Sequence, residues 1–210
     1  SCGIFFRRRK VFNQLMDFLE NCDGDICVSG GAAGSDREWV RIATEHGQDA
    51  VHFTFKGHSY KGHSPIHRVD VPEDYLELAI PKLRVANQTL RRKIPSPGYV
   101  RNLLCRNMYQ VKNSMSVYAV ANITYGQVEG GTAWATQMFI DRNLRDGHVY
   151  VLDKKTLKWH EWKHQEFTPI DKPPQPSGVW AGIGSREITP QIIRMMEELW
   201  QCQTDTTSDI

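Results

Sequence analysis

The chain has 210 residues, 40% of them hydrophobic and 24% charged, with a formal net charge of +2. That length suits one medium domain, or one domain with an appendage, and the apolar share is enough to build a core. The near-neutral balance excludes a broad nucleic-acid or membrane surface, and no run reaches the roughly 18 apolar residues of a membrane span. Five cysteines, Cys2, Cys22, Cys27, Cys105 and Cys202, are widely spaced and form no CxxC pair. That usage fits free thiols in a reducing compartment. No signal peptide is visible, and the expectation is a soluble cytoplasmic protein.

In chain order, apolar residues at helical spacing predict a helix over 11–21, ended by Asp23-Gly24. Residues 25–29 read as a buried strand. A glycine-rich turn follows, and a helix is expected over 36–45 with Asp36 as its N-cap. Residues 50–55 form a second strand. The stretch 56–71, with three histidines, two glycines and Pro65, reads as a loop. Residues 73–90 are helical in pattern, with a kink expected at Pro81. After the Pro95-Ser96-Pro97-Gly98 break come a helix over 99–111 and a strand over 116–121. A helix over 131–143 and a strand over 149–152 follow. Residues 157–167 read as a hairpin and 168–177 as a proline-rich linker. The last elements are a strand over 179–183 and a helix over 189–202, with Thr189 as its N-cap and Pro190 in its first turn. A polar tail occupies 204–209. The domain expectation is a core over 1–167, a linker over 168–178, and a terminal strand–helix unit over 179–203 that docks on the same sheet.

Strands that alternate with helices of ten or more residues call for βαβ units. The expected fold is therefore α/β: a Rossmann-like three-layer sandwich with a mostly parallel sheet. Three glycine-rich turns stand at predicted strand carboxyl ends. The first is Ser29-Gly30-Gly31-Ala32-Ala33-Gly34-Ser35-Asp36, the second Gly130-Gly131-Thr132, the third Gly182-Ile183-Gly184-Ser185. Ligands bind at that edge of open α/β sheets, and a glycine turn before a helix can hold an anion on backbone N–H groups.

The first of these turns resembles the S-G-G-A-x-G-x-D signature of the SLOG superfamily. That superfamily of Rossmann-like folds includes the DNA-processing protein A fold, the lonely-guy phosphoribohydrolases and several nucleotide-sensing domains. Gly130-Gly131-Thr132 resembles its second glycine motif, Gly182-Ile183-Gly184-Ser185-Arg186 its G-x-G-S-R strand end, and Arg106-Asn107 a recurring Arg-Asn pair. The resemblance spans most of the chain and implies a pocket for a nucleotide, a nucleoside phosphate or an ADP-ribose-like molecule. It also makes a homo-oligomer an expectation. The order departs from the family, in which the G-x-G-S-R strand comes first. Either the domain is circularly permuted and the last strand inserts beside residues 25–29, or residues 2–6 form the first strand, with Arg7-Arg8 in the Ser-Arg role, and the last segment begins an incomplete second copy. The lonely-guy glutamate is also missing: Gln137 stands about where it would fall, and an amide is no general base.

The expected phosphate ligands are the backbone amides of Gly30, Gly31, Gly130 and Gly131, helped by Ser185, Arg186 and Thr132. Ser29, Gly34, Ser35, Asp36, Arg106, Asn107 and Gly184 complete the candidate binding set. Asp36 serves as a cap, as a ribose ligand, or as both, and Thr132 as a cap or a phosphate donor. Trp134 stacks on a base or packs in the core. Arg106 and Arg186 either meet phosphate or form surface salt bridges. If the ligand is turned over at an N-glycosidic bond, Glu129, Asp36 and Glu187 are the candidate carboxylates. His160-Glu161-Trp162-Lys163-His164 matches H-E-x-x-H literally, but its flanks leave little room for the helix that a zinc site needs. His58, His63 and His67 have no metal-site spacing, so neither metal nor cofactor is expected. The basic runs 7–10 and 91–93 read as solvated faces. Single-stranded DNA binding is the less favoured partner reading and requires the two runs to converge.

Overall fold

The computed structural model describes residues 2–59 and 67–201. His63, Cys202 and the polar tail over 204–209 lie outside the described residues. The chain begins with α1 (Cys2–Glu20), β1 (Ile26–Ser29), α2 (Ser35–Glu45), β2 (Asp49–Thr54) and β3 (His67–Asp70). Three helices follow, α3 (Glu73–Leu78), α4 (Ile80–Leu90) and α5 (Tyr99–Lys112), and then β4 (Ser116–Ala121). A small hairpin, β5 (Ile123–Thr124) and β6 (Gln127–Val128), leads to α6 (Thr132–Ile140) and β7 (His148–Asp153). The chain continues through β8 (Lys158–Lys163), β9 (Glu166–Ile170), β10 (Val179–Gly184) and α7 (Pro190–Glu197).

One eight-stranded sheet has the order β3-β2-β1-β10-β4-β7-β8-β9. It is parallel from β3 through β7, and β8 and β9 add an antiparallel edge. The central strands are buried on both faces, and their side chains alternate between two cores. Val117, Ala119, Val149, Val151, Val179 and Ala181 point to one core, shared with α1, α3, α4, α5 and α6. Tyr118, Val120, Tyr150, Leu152 and Trp180 point to the other, shared with α2 and α7. Helices on both faces make this the three-layer Rossmann-like α/β architecture that the element pattern calls for.

Several local expectations change. Residues 2–6 belong to α1 and are not a strand, because the parallel place beside β1 is filled by β10. Pro81 breaks the helix rather than kinking it. Ala79 separates α3 from α4, and the proline falls in the first turn of α4, where a missing N–H does no harm. Residues 67–70, expected in a loop, form edge strand β3. Its side chains are partly or fully exposed, so no apolar alternation marks it. Strand β9 runs to Ile170, into the expected linker, and tolerates Pro169 at the outer edge of the sheet. The following residues cross the amino edge of the sheet, where the Tyr118 hydroxyl donates to the Pro174 carbonyl and the Gln48 amide to that of Pro176.

Candidate ligand-binding site

Strand β1 leads through α2 to β2 on one side, and β4 leads through α6 to β7 on the other. The chain thus winds outward in both directions from β1, β10 and β4. At such a switch point the carboxyl ends of the strands leave a crevice. A cavity of about 500 Å³ lies there.

Its walls come from five places. Asp36 and Ala32 follow β1, Ile183, Gly184, Ser185 and Arg186 follow the course of β10, and Asn122 directly follows β4. The turn Glu129-Gly130-Gly131-Thr132 and Ala135 bring in the start of α6. The fifth wall is one face of α5, where Val100, Leu103, Leu104, Arg106, Asn107 and Gln110 recur at helical spacing. Ser29, Gly30, Gly31, Gly34, Ser35 and Glu187 do not line it. Glu187 is exposed and away from the cavity.

The first glycine turn is closed from within. Helix α2 starts at Ser35 with Gly34 as its N-cap, so Asp36 sits one residue inside the helix and caps nothing. Its carboxylate instead turns back to accept the Gly30 N–H at 3.1 Å, together with the N–H groups of Ala32 and Gly184. The Gly30 amide is therefore not open to a phosphate. Asp36 is 5% exposed. Burial pushes its carboxyl up to about 6, while the charge of Arg106 and the three backbone N–H groups pull it back down.

Arg106 is 4% exposed and makes no surface salt bridge. Its Nη1 donates to the Gly30 carbonyl at 2.6 Å and to the Phe53 carbonyl at 2.7 Å, tying the ends of β1 and β2 together. A Cβ on Gly30 would collide with both Arg106 and Asp36, so that glycine makes room for the two charges. At Gly34, with φ +83°, a Cβ would strike the Arg186 backbone. The turn is riveted there: the Ser35 N–H donates to the Ser185 carbonyl at 2.9 Å, and the Ser35 hydroxyl to the same oxygen at 2.8 Å. The Ser29 hydroxyl donates to the Gly182 carbonyl at 2.5 Å, and Ser29 is fully buried.

The second turn is open. Gly131 precedes α6 as its N-cap, so Thr132 is the first helical residue rather than the cap, and it lines the cavity. The opening N–H groups of a helix have no partner inside it. Arg92 holds this turn from behind, donating to the carbonyls of Gly130 at 2.9 Å and Val128 at 2.8 Å. That arginine is part of a basic run read as a solvated face. Arg186 is exposed at the mouth, and Lys154 donates to the Ser185 hydroxyl at 3.2 Å. Asn107 donates to the Gly131 carbonyl at 3.4 Å.

Glu129 lines the cavity but is engaged. Hydrogen bonds from Thr124 at 2.6 Å and Asn122 at 3.0 Å hold its carboxyl down at about 2. Trp134 is buried in the core and does not reach the cavity, which removes it as a stacking platform. Gln137 faces away and donates to Asp141 at 2.9 Å. His58 is buried against Phe55 and Tyr99. Burial first, then the charges of Arg106, Arg68 and Arg186, lower its pKa to about 4. His160 and Glu161 of the H-E-x-x-H run lie on strand β8, with His164 in the turn to β9. No group of three metal-ligating side chains occurs among the described residues.

Sequence reasoning missed Gln110 and Asn122, which line the cavity, and Lys154 and Arg92, which bond to its walls from outside. Gln110 stands one turn after Arg106 on α5, and that spacing was a readable signal. Asn122 directly follows a predicted strand, at the edge where ligands bind. Lys154 and Arg92 carry no local signal.

No protein-family model matches the chain, and neither does any curated protein. Among solved structures, a protein of Syntrophus aciditrophicus SB provisionally named a molybdenum carrier is similar at 14% identity. The match covers 84% of this chain and 92% of the other, with a TM-score of 0.49. A likeness of that size transfers no ligand. No helix among the described residues is long and apolar enough to cross a membrane.

Proposed function

We propose that this protein is a nucleotide-binding member of the SLOG type, holding a nucleoside phosphate or an ADP-ribose-like molecule at the switch point. One observation carries the reading: the cavity lies where the crossovers diverge and is lined both by the start of α6 and by the Ser185-Arg186 turn. The phosphate sits on the opening N–H groups of α6 at Gly131 and Thr132, with Arg186 facing it as a charged donor. Gly130 supports it through the turn shape. The first glycine turn acts indirectly, by fixing β1 to β10. A volume of about 500 Å³ falls in the range of small-molecule sites. The place of β10 between β1 and β4 is the one that the permuted reading of the family's strand order expects.

Titration with nucleoside monophosphates, nucleoside diphosphates and ADP-ribose, followed by calorimetry and thermal shift, tests this. Saturable binding is expected for at least one of them. Arg186→Ala is expected to weaken it about tenfold, the loss of one charge-assisted contact, with the unfolding free energy within about 0.5 kcal/mol of the parent. No binding by any of them sinks the reading.

A second reading, cleavage of an N-glycosidic bond, rests on Asp36. A carboxyl raised to about 6 on a cavity wall has the acidity of a general acid. Its oxygens, however, accept three backbone N–H groups. Release of free base from a bound nucleoside monophosphate, lost in Asp36→Asn, is the result that decides for this reading.

A further inference from the structure

The cavity has a floor as well as a mouth, and the two differ in chemistry. Helix α5 starts beside the carboxyl end of β2, where Tyr99 meets Phe55. It ends at the amino edge, where the Met115 N–H donates to the Val179 carbonyl. Positions along α5 therefore measure depth. Val100 and Leu103 lie near the mouth. Arg106 lies level with the end of β1, since it bonds to the Gly30 carbonyl. Gln110, four residues on, lies about 6 Å deeper.

Gln110 is 1% exposed, and neither Oε1 nor Nε2 hydrogen-bonds to anything among the described residues. The Nε of Arg106 is also buried without a partner. Buried polar atoms are nearly always satisfied, and an amide left bare costs free energy. Here the bare amide lines a cavity whose neighbouring walls, Leu104, Ala135 and Ile183, are apolar. Gln110 and Arg106 line this cavity but keep their bare atoms closed from solvent, so a flat ring with polar atoms on one edge meets them as the flexible Gln110 side chain swings toward it. A side-chain amide reads such an edge by a paired donor–acceptor contact. A sugar, polar all round, does not fit such walls, and phosphate needs no acceptor.

We infer that Gln110 is a specificity-determining residue that reads the hydrogen-bonding edge of a nucleobase-type heterocycle seated between Leu104, Ala135 and Ile183. Arg106 Nε supplies a further donor. The inference rests on the proposed phosphate position at the mouth and goes beyond it by placing the base and naming its reader.

The test compares ribose 5-phosphate with the 5′-monophosphates of adenosine, guanosine, cytidine and uridine by calorimetry. It uses the parent protein and Gln110→Met, a swap of similar volume. At least one monophosphate is expected to bind about tenfold or more tighter than ribose 5-phosphate. Gln110→Met is expected to bring that ratio close to one. Urea unfolding of the variant reports its fold independently, and removing a bare amide is expected to leave the midpoint unchanged or higher. If ribose 5-phosphate binds as tightly as every monophosphate, the base reader is overturned while the phosphate site stands. If the advantage survives in a folded Gln110→Met protein, Gln110 is not the reader. If neither ribose 5-phosphate nor any monophosphate binds, the phosphate site falls and the base reader with it.

Discussion

The two glycine turns that precede α2 and α6 have the same local grammar, a strand, a glycine pair and a helix, and opposite fates. The first carries its own anion. The Asp36 carboxylate occupies the N–H groups of Gly30, Ala32 and Gly184, and Arg106 faces it. Among the described residues no acidic side chain bonds to the amides of the second, whose own Glu129 is held by Thr124 and Asn122, and the turn lines the cavity. Glycine-rich turns at strand ends are thus anion sites by geometry, but which anion fills them depends on whether a carboxylate two residues into the helix can fold back. In this chain the turn richest in glycine is a structural joint, and the plainer one faces the cavity.

The largest expected effect comes from emptying the filled turn. Asp36→Ala removes the acceptor of three backbone N–H groups and leaves the Arg106 guanidinium without its counter-charge. A loss of about 3–5 kcal/mol in urea unfolding is expected. A loss under about 1 kcal/mol would mean that the turn does not depend on its internal anion.

Gly34→Ala comes next. A Cβ there strikes the Arg186 backbone from a residue at φ +83°, and the expected cost is about 3 kcal/mol. Ligand affinity should fall as well, because Arg186 is displaced. Equal stability to the parent would show that the two turns are not locked together.

The pH profile sharpens the comparison. Asp36 reaches about 6 in the fold, above its unfolded value. The folded state therefore binds the extra proton between about pH 4 and pH 6. This group's contribution to stability falls as the pH rises through that window and is flat above it. His58 acts in the opposite sense. Its pKa is lowered to about 4, so its contribution grows as the pH rises from about 4 to about 6.5. The two contributions oppose each other between about pH 4 and 6. Asp36→Asn should expose the rising limb and His58→Gln the falling one, read by denaturant titration at each pH. Identical profiles in all three proteins would show that neither group is perturbed.

The smallest effect is expected at the open turn. Gly130 has φ +68°, but a Cβ there would meet nothing within 4 Å. Gly130→Ala should therefore cost only the backbone penalty of about 1 kcal/mol. A cost matching that of Gly34→Ala would erase the distinction between the turns.

Much of this was legible in the sequence. The alternation of apolar strands with amphipathic helices fixes the α/β layers, because burial on both sheet faces demands apolar runs and covering helices. The glycine turns mark candidate ligand edges, and Gly130, Gly131, Thr132 and Ser185 stand out by that rule, while Arg186 came only with the family resemblance. Tertiary structure decided the rest. Nothing local places β10 between β1 and β4, yet that pairing carries Ser185 onto Ser35 across 150 positions of sequence. Nor could spacing tell that Arg106 turns inward to the carbonyls of Gly30 and Phe53. Short-range periodicity records which side of an element is buried. The partner across the sheet, and the charge or amide that ends up without one, depends on contacts between residues far apart in the chain.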